Sequence, residues 1–422
     1  MRHRFRAATP YTAVVLAGFS WVAAAVPPTL AAGVISHLQA PEPPAADPQV
    51  KALIDQGDQY FRAGRMEEAV RAYQRAVEQA HALKDLVGEG AALNNLGAAL
   101  SQQGQRERAL EAYEKSLTVK KASNDLTGAA QTLNNLGNIF AESGEAERAV
   151  NYYQQSLKIK EQTGDRPGQA TTLLNIGTVY KQTGDQKKAL DTYARARDLF
   201  RAEKDIAGEG SVLNNIGNLY AETGAPATAI QYYEESLALK RKAGDTAGQA
   251  KTLANLGAVY AAGQPAEAVK RYNEALTLLE KAGDKHAAAA IHHNLGGFYA
   301  ATGQLDQAGA ELKRAADAYR EAKDVAGEGI ALQGLGALAL RRGDLPGAQR
   351  AFSQATRCWA SRKMSRDEGV SRRAPLRRSN CLFHEAARSI AKCWASLRSE
   401  VPRLCWMTVL PTMDWMETGT AI

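Results

Sequence analysis

Between residues 33 and 357 there is no cysteine and no tryptophan. That stretch therefore has no disulfide framework, and no thiolate to serve a metal or act as a nucleophile. No run of 18 or more apolar residues occurs, so no segment is expected to cross a membrane as a helix. Charge of one sign is missing from the body as well. The net +7 divides into three Arg against two acids over residues 1–48, eleven Lys and Arg against six acids over 358–422, and 38 against 37 between them. A nucleic-acid partner would need a basic stripe on the folded part, and the balanced body offers none. Motifs for chemistry are also absent: no P-loop, no HExxH and no Ser/His/Asp order. Gly88-Glu-Gly90, Gly208-Glu-Gly210 and Gly327-Glu-Gly329 are links between helices rather than phosphate loops, because no strand precedes them. Neither catalysis nor a cofactor is expected.

The two ends differ from the body. Arg2, Arg4 and Arg6 precede an apolar stretch from Ala13 to Val26, with small residues at Ala25 and Ala31–Ala32. This is the pattern of a secretory signal over 1–32, and it predicts an exported protein; a mis-assigned start codon would instead leave a cytoplasmic one. No cysteine lies near the cleavage position, which argues against a lipid anchor. Pro41, Pro43, Pro44 and Pro48 then make 33–49 a stiff, extended spacer. All four cysteines (Cys358, Cys381, Cys393 and Cys405) and four of the five tryptophans lie in residues 358–422.

What fills the middle is one motif copied eight times. Leu-Asn-Asn-Leu-Gly at 93–97 recurs at 133–137, as Leu-Leu-Asn-Ile-Gly at 173–177 and as Leu-Asn-Asn-Ile-Gly at 213–217. The anchoring glycines are Gly57, Gly97, Gly137, Gly177, Gly217, Gly257, Gly296 and Gly336, spaced by 40 with one step of 39. Ala69, Ala109, Ala149, Ala189, Ala229, Ala268, Ala308 and Ala348 keep the same beat. Such a period defines a repeat architecture. In the third copy Leu133, Leu136, Gly137 and Phe140 mark one face of a helix. Ala149, Tyr153 and Leu157 mark one face of a second. Gly144 ends the first helix, and Asp165 stands where the next needs an N-cap oxygen. The series Asp85, Asp125, Asp165, Asp205, Asp245, Asp284 and Asp324 repeats that role, which accounts for it better than calcium binding does. Pro226, Pro265 and Pro346 fall in the first turns of second helices, where the missing N–H costs nothing.

Gly with Tyr three residues on, Ala twelve on and Tyr sixteen on resembles the tetratricopeptide repeat in its 40-residue variety. Tyr180, Ala189 and Tyr193 after Gly177 carry the pattern, as do Tyr220, Ala229 and Tyr233 after Gly217. Leu-Gly-Asn scaffolds, kinesin light chains and bacterial proteins with a caspase-like CHAT peptidase contain similar arrays. The resemblance implies an all-α, right-handed superhelical solenoid of about eight helix-turn-helix repeats over 50–357. It also implies a non-enzymatic scaffold that binds protein or peptide, or else the regulatory half of a CHAT-type peptidase whose catalytic domain is not in this chain.

Asn95, Asn135, Asn175, Asn215, Asn255 and Asn294 sit two residues before the Gly of six successive repeats. Asn within a helix costs about half a kcal/mol relative to Ala, so six cost on the order of 3 kcal/mol, and something must offset that. By the resemblance, this position lies on the concave face and touches bound peptide backbone, a task suited to an amide with donors and an acceptor. Asn94, Asn134, Asn214, Asn138 and Asn218 extend the ladder, with Glu142, Lys181, Gln182 and Glu222 further along the same helices. The alternative is that the amides tie adjacent repeats together; the two roles are compatible. Ala254, Ala258, Ala261 and Ala262 replace the polar set further on, which centres a ligand on repeats two to five. Self-association through the ends of the array is a further possibility. The adjacent His292 and His293, with His286 nearby, invite a metal. But His292 stands where other copies have Leu213 and Leu253, so a packed ring and no metal are expected.

The beat persists through Ala355, Trp359, Lys363 and Gly369 and then stops. The next Leu-x-x-Leu-Gly is due at 372–376, where the chain reads Arg372-Arg-Ala-Pro-Leu376. One reading is a basic tail whose Leu382, Ile390, Trp394 and Leu397 form a capping helix. The other is a reading-frame shift near residue 370, which stray cysteines in an exported chain favour.

Overall fold

The computed structural model describes residues 46–367. The signal segment, most of the spacer, and the tail beyond 367 with its proposed cap or frame shift lie outside the described residues.

Sixteen α-helices and no strand occur among the described residues. They form eight antiparallel pairs: α1 (Pro48–Arg62) with α2 (Met66–Leu83), α3 (Leu86–Gln102) with α4 (Arg106–Ala122), α5 (Leu126–Glu142) with α6 (Ala146–Thr163), and α7 (Arg166–Gln182) with α8 (Gln186–Ala202). Then come α9 (Ile206–Glu222) with α10 (Pro226–Ala243), α11 (Thr246–Tyr260) with α12 (Pro265–Ala282), α13 (Lys285–Ala301) with α14 (Leu305–Glu321), and α15 (Val325–Arg341) with α16 (Leu345–Asp367). Each helix packs on its chain neighbours, which is the all-α solenoid the repeat predicts. The last helix runs to 367, past the expected boundary at 357.

Local chemistry accounts for each pair. The Asp125 carboxylate accepts from the Gly128 N–H at 2.8 Å and starts α5, and six further aspartates of the series do the same at their own helices. Leu133, Leu136 and Phe140 on α5 are fully buried, a burial worth about 2 kcal/mol per side chain. Gly144 at φ 75° turns the chain into α6. The anchor glycines permit the close approach: a Cβ on Gly137 would lie 2.6 Å from the Tyr153 ring, and Gly97, Gly177 and Gly217 stand likewise against Tyr113, Tyr193 and Tyr233.

The single step of 39 lies in the turn of repeat six. Its first helix, α11, has 15 residues where its neighbours have 17. Gly263 in that turn does not take the positive φ of Gly224 or Gly303.

Candidate functional site: the asparagine-lined face of the first helices

The first helices of successive repeats also touch one another: α1 with α3, α3 with α5, α5 with α7, α7 with α9, α9 with α11 and α13 with α15. Crowding of that kind marks the inner side of a curve. Two charged groups agree. Glu142 and Lys251 expose their side chains, yet the surrounding protein displaces enough water to push the Glu142 carboxyl up and the Lys251 ammonium down. The charge of Lys181 lowers Lys251 further. Lys181 Nζ pairs with Glu222 Oε1 at 2.6 Å across repeats four and five.

Every residue of the expected ladder lies on this set of helices, half-buried except for Asn214, which is buried. Their hydrogen bonds divide them into classes. Asn94, Asn134 and Asn214 work between repeats. The Asn94 oxygen accepts from Thr132 Oγ1 and from Asn135 Nδ2, both at 3.1 Å. The Asn134 oxygen accepts from Thr172 Oγ1 and Asn175 Nδ2, both at 3.4 Å. The Asn214 oxygen accepts from Thr252 Oγ1 and Asn255 Nδ2, both at 3.1 Å. Asn138 and Asn218 accept from the Tyr153 and Tyr233 hydroxyls of their own repeats at 2.6 and 2.7 Å, and Asn218 also accepts from Asn255 Nδ2 of the next repeat at 3.0 Å. Asn95 donates to Asp58 Oδ1 at 3.1 Å.

The remaining rungs keep capacity. Asn135, Asn175 and Asn255 use an N–H on the preceding repeat, while their amide oxygens accept no protein hydrogen bond among the described residues. Asn215 and Asn294 make no side-chain hydrogen bond among the described residues, because Leu174 and Ala254 stand where the preceding repeat would supply an amide oxygen.

Beside these bonds lies a polar set that sequence reading missed. Lys120, Lys160 and Lys240 are buried on second helices. Their Nζ atoms donate to Thr132, Thr172 and Thr252 Oγ1 at 3.2, 2.8 and 2.9 Å, and to the carbonyls of Gly128, Gly168 and Gly248. Ser116, Ser156 and Ser236 donate to backbone oxygens at 2.7, 2.7 and 2.6 Å. Burial lowers all three lysines, Lys120 and Lys240 to about 8. Their 40-residue spacing was the available signal.

The histidines do not converge. His292 Nδ1 lies 2.6 Å from Glu311 Oε2 and His286 Nε2 lies 2.9 Å from Asp324 Oδ2. His293 is lowered by burial, and its Nδ1 has no partner. Among the described residues no group of three or more His, Cys, Asp or Glu could hold a metal. No described helix is long and apolar enough to cross a membrane.

The tetratricopeptide repeat family profile matches residues 49–122, 128–202, 209–281 and 287–361, two repeats at a time. The chain belongs to the tetratricopeptide repeat family. No curated protein matches it. Solved structures do. The Rap conjugation gene regulator of plasmid pLS20, in complex with the Phr* peptide, is 15% identical with a TM-score of 0.50, over 78% of this chain and 99% of that one. The apo quorum sensor NprR of B. thuringiensis is 14% identical with a TM-score of 0.52, over 72% and 86%. Aspartyl phosphate phosphatase F of Bacillus subtilis is 12% identical with a TM-score of 0.52, over 78% and 96%. At these identities the likeness is one of fold.

Proposed function

We propose that this chain is a non-enzymatic scaffold that holds an extended peptide, or an extended segment of a partner protein, along the first helices of repeats two to five. The observation that carries this reading is Asn215. It is half-buried on the inner face, in the middle of the ladder, with donors and acceptor both uncommitted to the protein. The amide oxygens of Asn135, Asn175 and Asn255 flank it in the same condition. An extended backbone alternates N–H and C=O groups, and a row of amides matches both. The Lys181–Glu222 pair leaves the face near neutral, which disfavours a strongly charged ligand. The pLS20 regulator carries its peptide on a fold of this kind.

The test is amide hydrogen exchange on the full chain with a peptide selected from a random library. Protection concentrated in α3, α5, α7 and α9 supports the groove. Protection confined to second helices contradicts it.

We also infer, from Arg2, Arg4, Arg6 and the Ala13–Val26 stretch, that the scaffold works outside the cytoplasm. Fractionation with the mature N-terminus determined by mass checks this. An intact Met1 in the cytoplasm contradicts it.

A further inference from the structure

Seven boundaries join the eight repeats, and four positions at each boundary vary together. Between repeats two and three they are Asn94, Ser116, Lys120 and Thr132; the next boundary has Asn134, Ser156, Lys160 and Thr172. Between repeats five and six they are Asn214, Ser236, Lys240 and Thr252. At these three boundaries the set is wholly polar and bonded to itself: Lys to Thr, Thr to Asn, and Ser to backbone.

Between repeats four and five the same positions hold Leu174, Ala196, Phe200 and Val212, all apolar. Between six and seven they hold Ala254, Ala275, Leu279 and Ile291, and between one and two Ile54, Ala76, Ala80 and Ala92. The seventh boundary is the informative exception. Ala315, Tyr319 and Ala331 are of the apolar kind, but His293 occupies the Asn position. Its Nδ1 is buried without a partner, because Ala331 stands where a Thr hydroxyl would be. A polar group in an apolar boundary is left unsatisfied.

We infer that these sets are a matching code that limits which repeat can stack on which. Near-identical repeats carry a hazard: the trailing edge of one could accept the leading edge of the wrong one. Each edge here is polar or apolar, and each meets its own kind. A skipped repeat four that set Lys160 against Val212 would bury a cation with its hydroxyl acceptor gone. A leading edge bearing Thr252, set against Leu174 and Phe200, would lose its amide partner.

The test is a pair of transplants in the full chain, read by the thermal midpoint. At the boundary of repeats five and six, Thr252→Val and Asn214→Leu are each expected to lower the midpoint by several degrees. The quadruple Asn214→Leu, Ser236→Ala, Lys240→Phe, Thr252→Val is expected to recover more than half of the summed loss of its four single changes. At the boundary of repeats four and five, Phe200→Lys is expected to cause a loss. Adding Leu174→Asn, Ala196→Ser and Val212→Thr is expected to recover more than half of that loss. Recovery at either boundary supports the code, so one variant that fails to fold does not end the test. Losses that simply add at both boundaries overturn it.

Discussion

The amide nitrogen of Asn255 donates to the amide oxygen of Asn214 at 3.1 Å, across the boundary between repeats five and six. The pair shows why a ladder of identical residues is not a ladder of identical roles. Asn214 is buried and binds its neighbour; Asn255, one repeat on, keeps its oxygen for solvent or ligand. Forty residues earlier Asn215 faces Leu174 and has nothing to donate to.

Tyr272 marks a place where the pattern is incomplete. Tyr153 and Tyr233 donate to Asn138 and Asn218, but Ala258 stands at that position in repeat six and the Tyr272 hydroxyl is buried without a partner. Ala258→Asn restores the acceptor. A hydrogen bond adds about 1 kcal/mol and Asn in a helix subtracts about 0.5 kcal/mol. Urea unfolding should show a small gain, and a loss would mean that the site has no room for the amide.

The links between repeats allow a cleaner test of backbone strain. Lys84, Asn124, Lys204 and Lys323 take φ between 56° and 58°, where Gly164, Gly244 and Gly283 serve other repeats. Lys204→Gly should stabilise by about 0.5–1 kcal/mol, since the left-handed conformation costs a residue with a Cβ about 1–2 kcal/mol and glycine's greater freedom in the unfolded chain offsets about 0.5–1 kcal/mol of that. Gly164→Ala should lose a similar amount. Denaturation midpoints of the two variants check both signs.

The buried lysines give an unusual pH dependence. The folded values of Lys120 and Lys240, about 8, lie below the ordinary 10.5, so the unfolded chain holds those protons more tightly. Each lysine therefore opposes folding fully below pH 8, by up to about 3 kcal/mol, and the opposition fades as pH rises toward 10.5. The buried tyrosines act oppositely. Burial raises Tyr153, Tyr193 and Tyr233, so their contribution is lost only above pH 10. Stability measured between pH 8 and 10 should rise in the native chain, and less steeply in Lys120→Met with Lys240→Met. Equal slopes would contradict the assignment.

The fold was legible because two anchors, Gly and Ala, repeat in phase and because Asp at each helix start has one dominant use. The positions of the Asn ladder were legible for the same reason. Its division into roles was not, since Asn214 and Asn215 are neighbours of the same type and the facing repeat decides what each amide can reach: Thr252 and Asn255 for Asn214, the apolar Leu174 for Asn215. The Ser–Lys–Thr set was missed because Lys on an amphipathic helix reads as a solvated residue. Three lysines that return at an interval of 40 or a multiple of it, always with Ser four before and Thr twelve after, are buried instead.

The most direct measurement of the groove reading is calorimetric titration of a library-selected peptide into the full chain and into Asn215→Ala and Asn94→Ala, with thermal midpoints recorded alongside. Asn215→Ala should lose about tenfold in affinity, the equivalent of about 1.4 kcal/mol, with a midpoint that stays level or rises slightly, since Asn in a helix costs about 0.5 kcal/mol relative to Ala. Asn94→Ala should lower the midpoint instead, because its oxygen holds Thr132 and Asn135. Unchanged affinity in Asn215→Ala, with the peptide bound as tightly as before, would contradict the account.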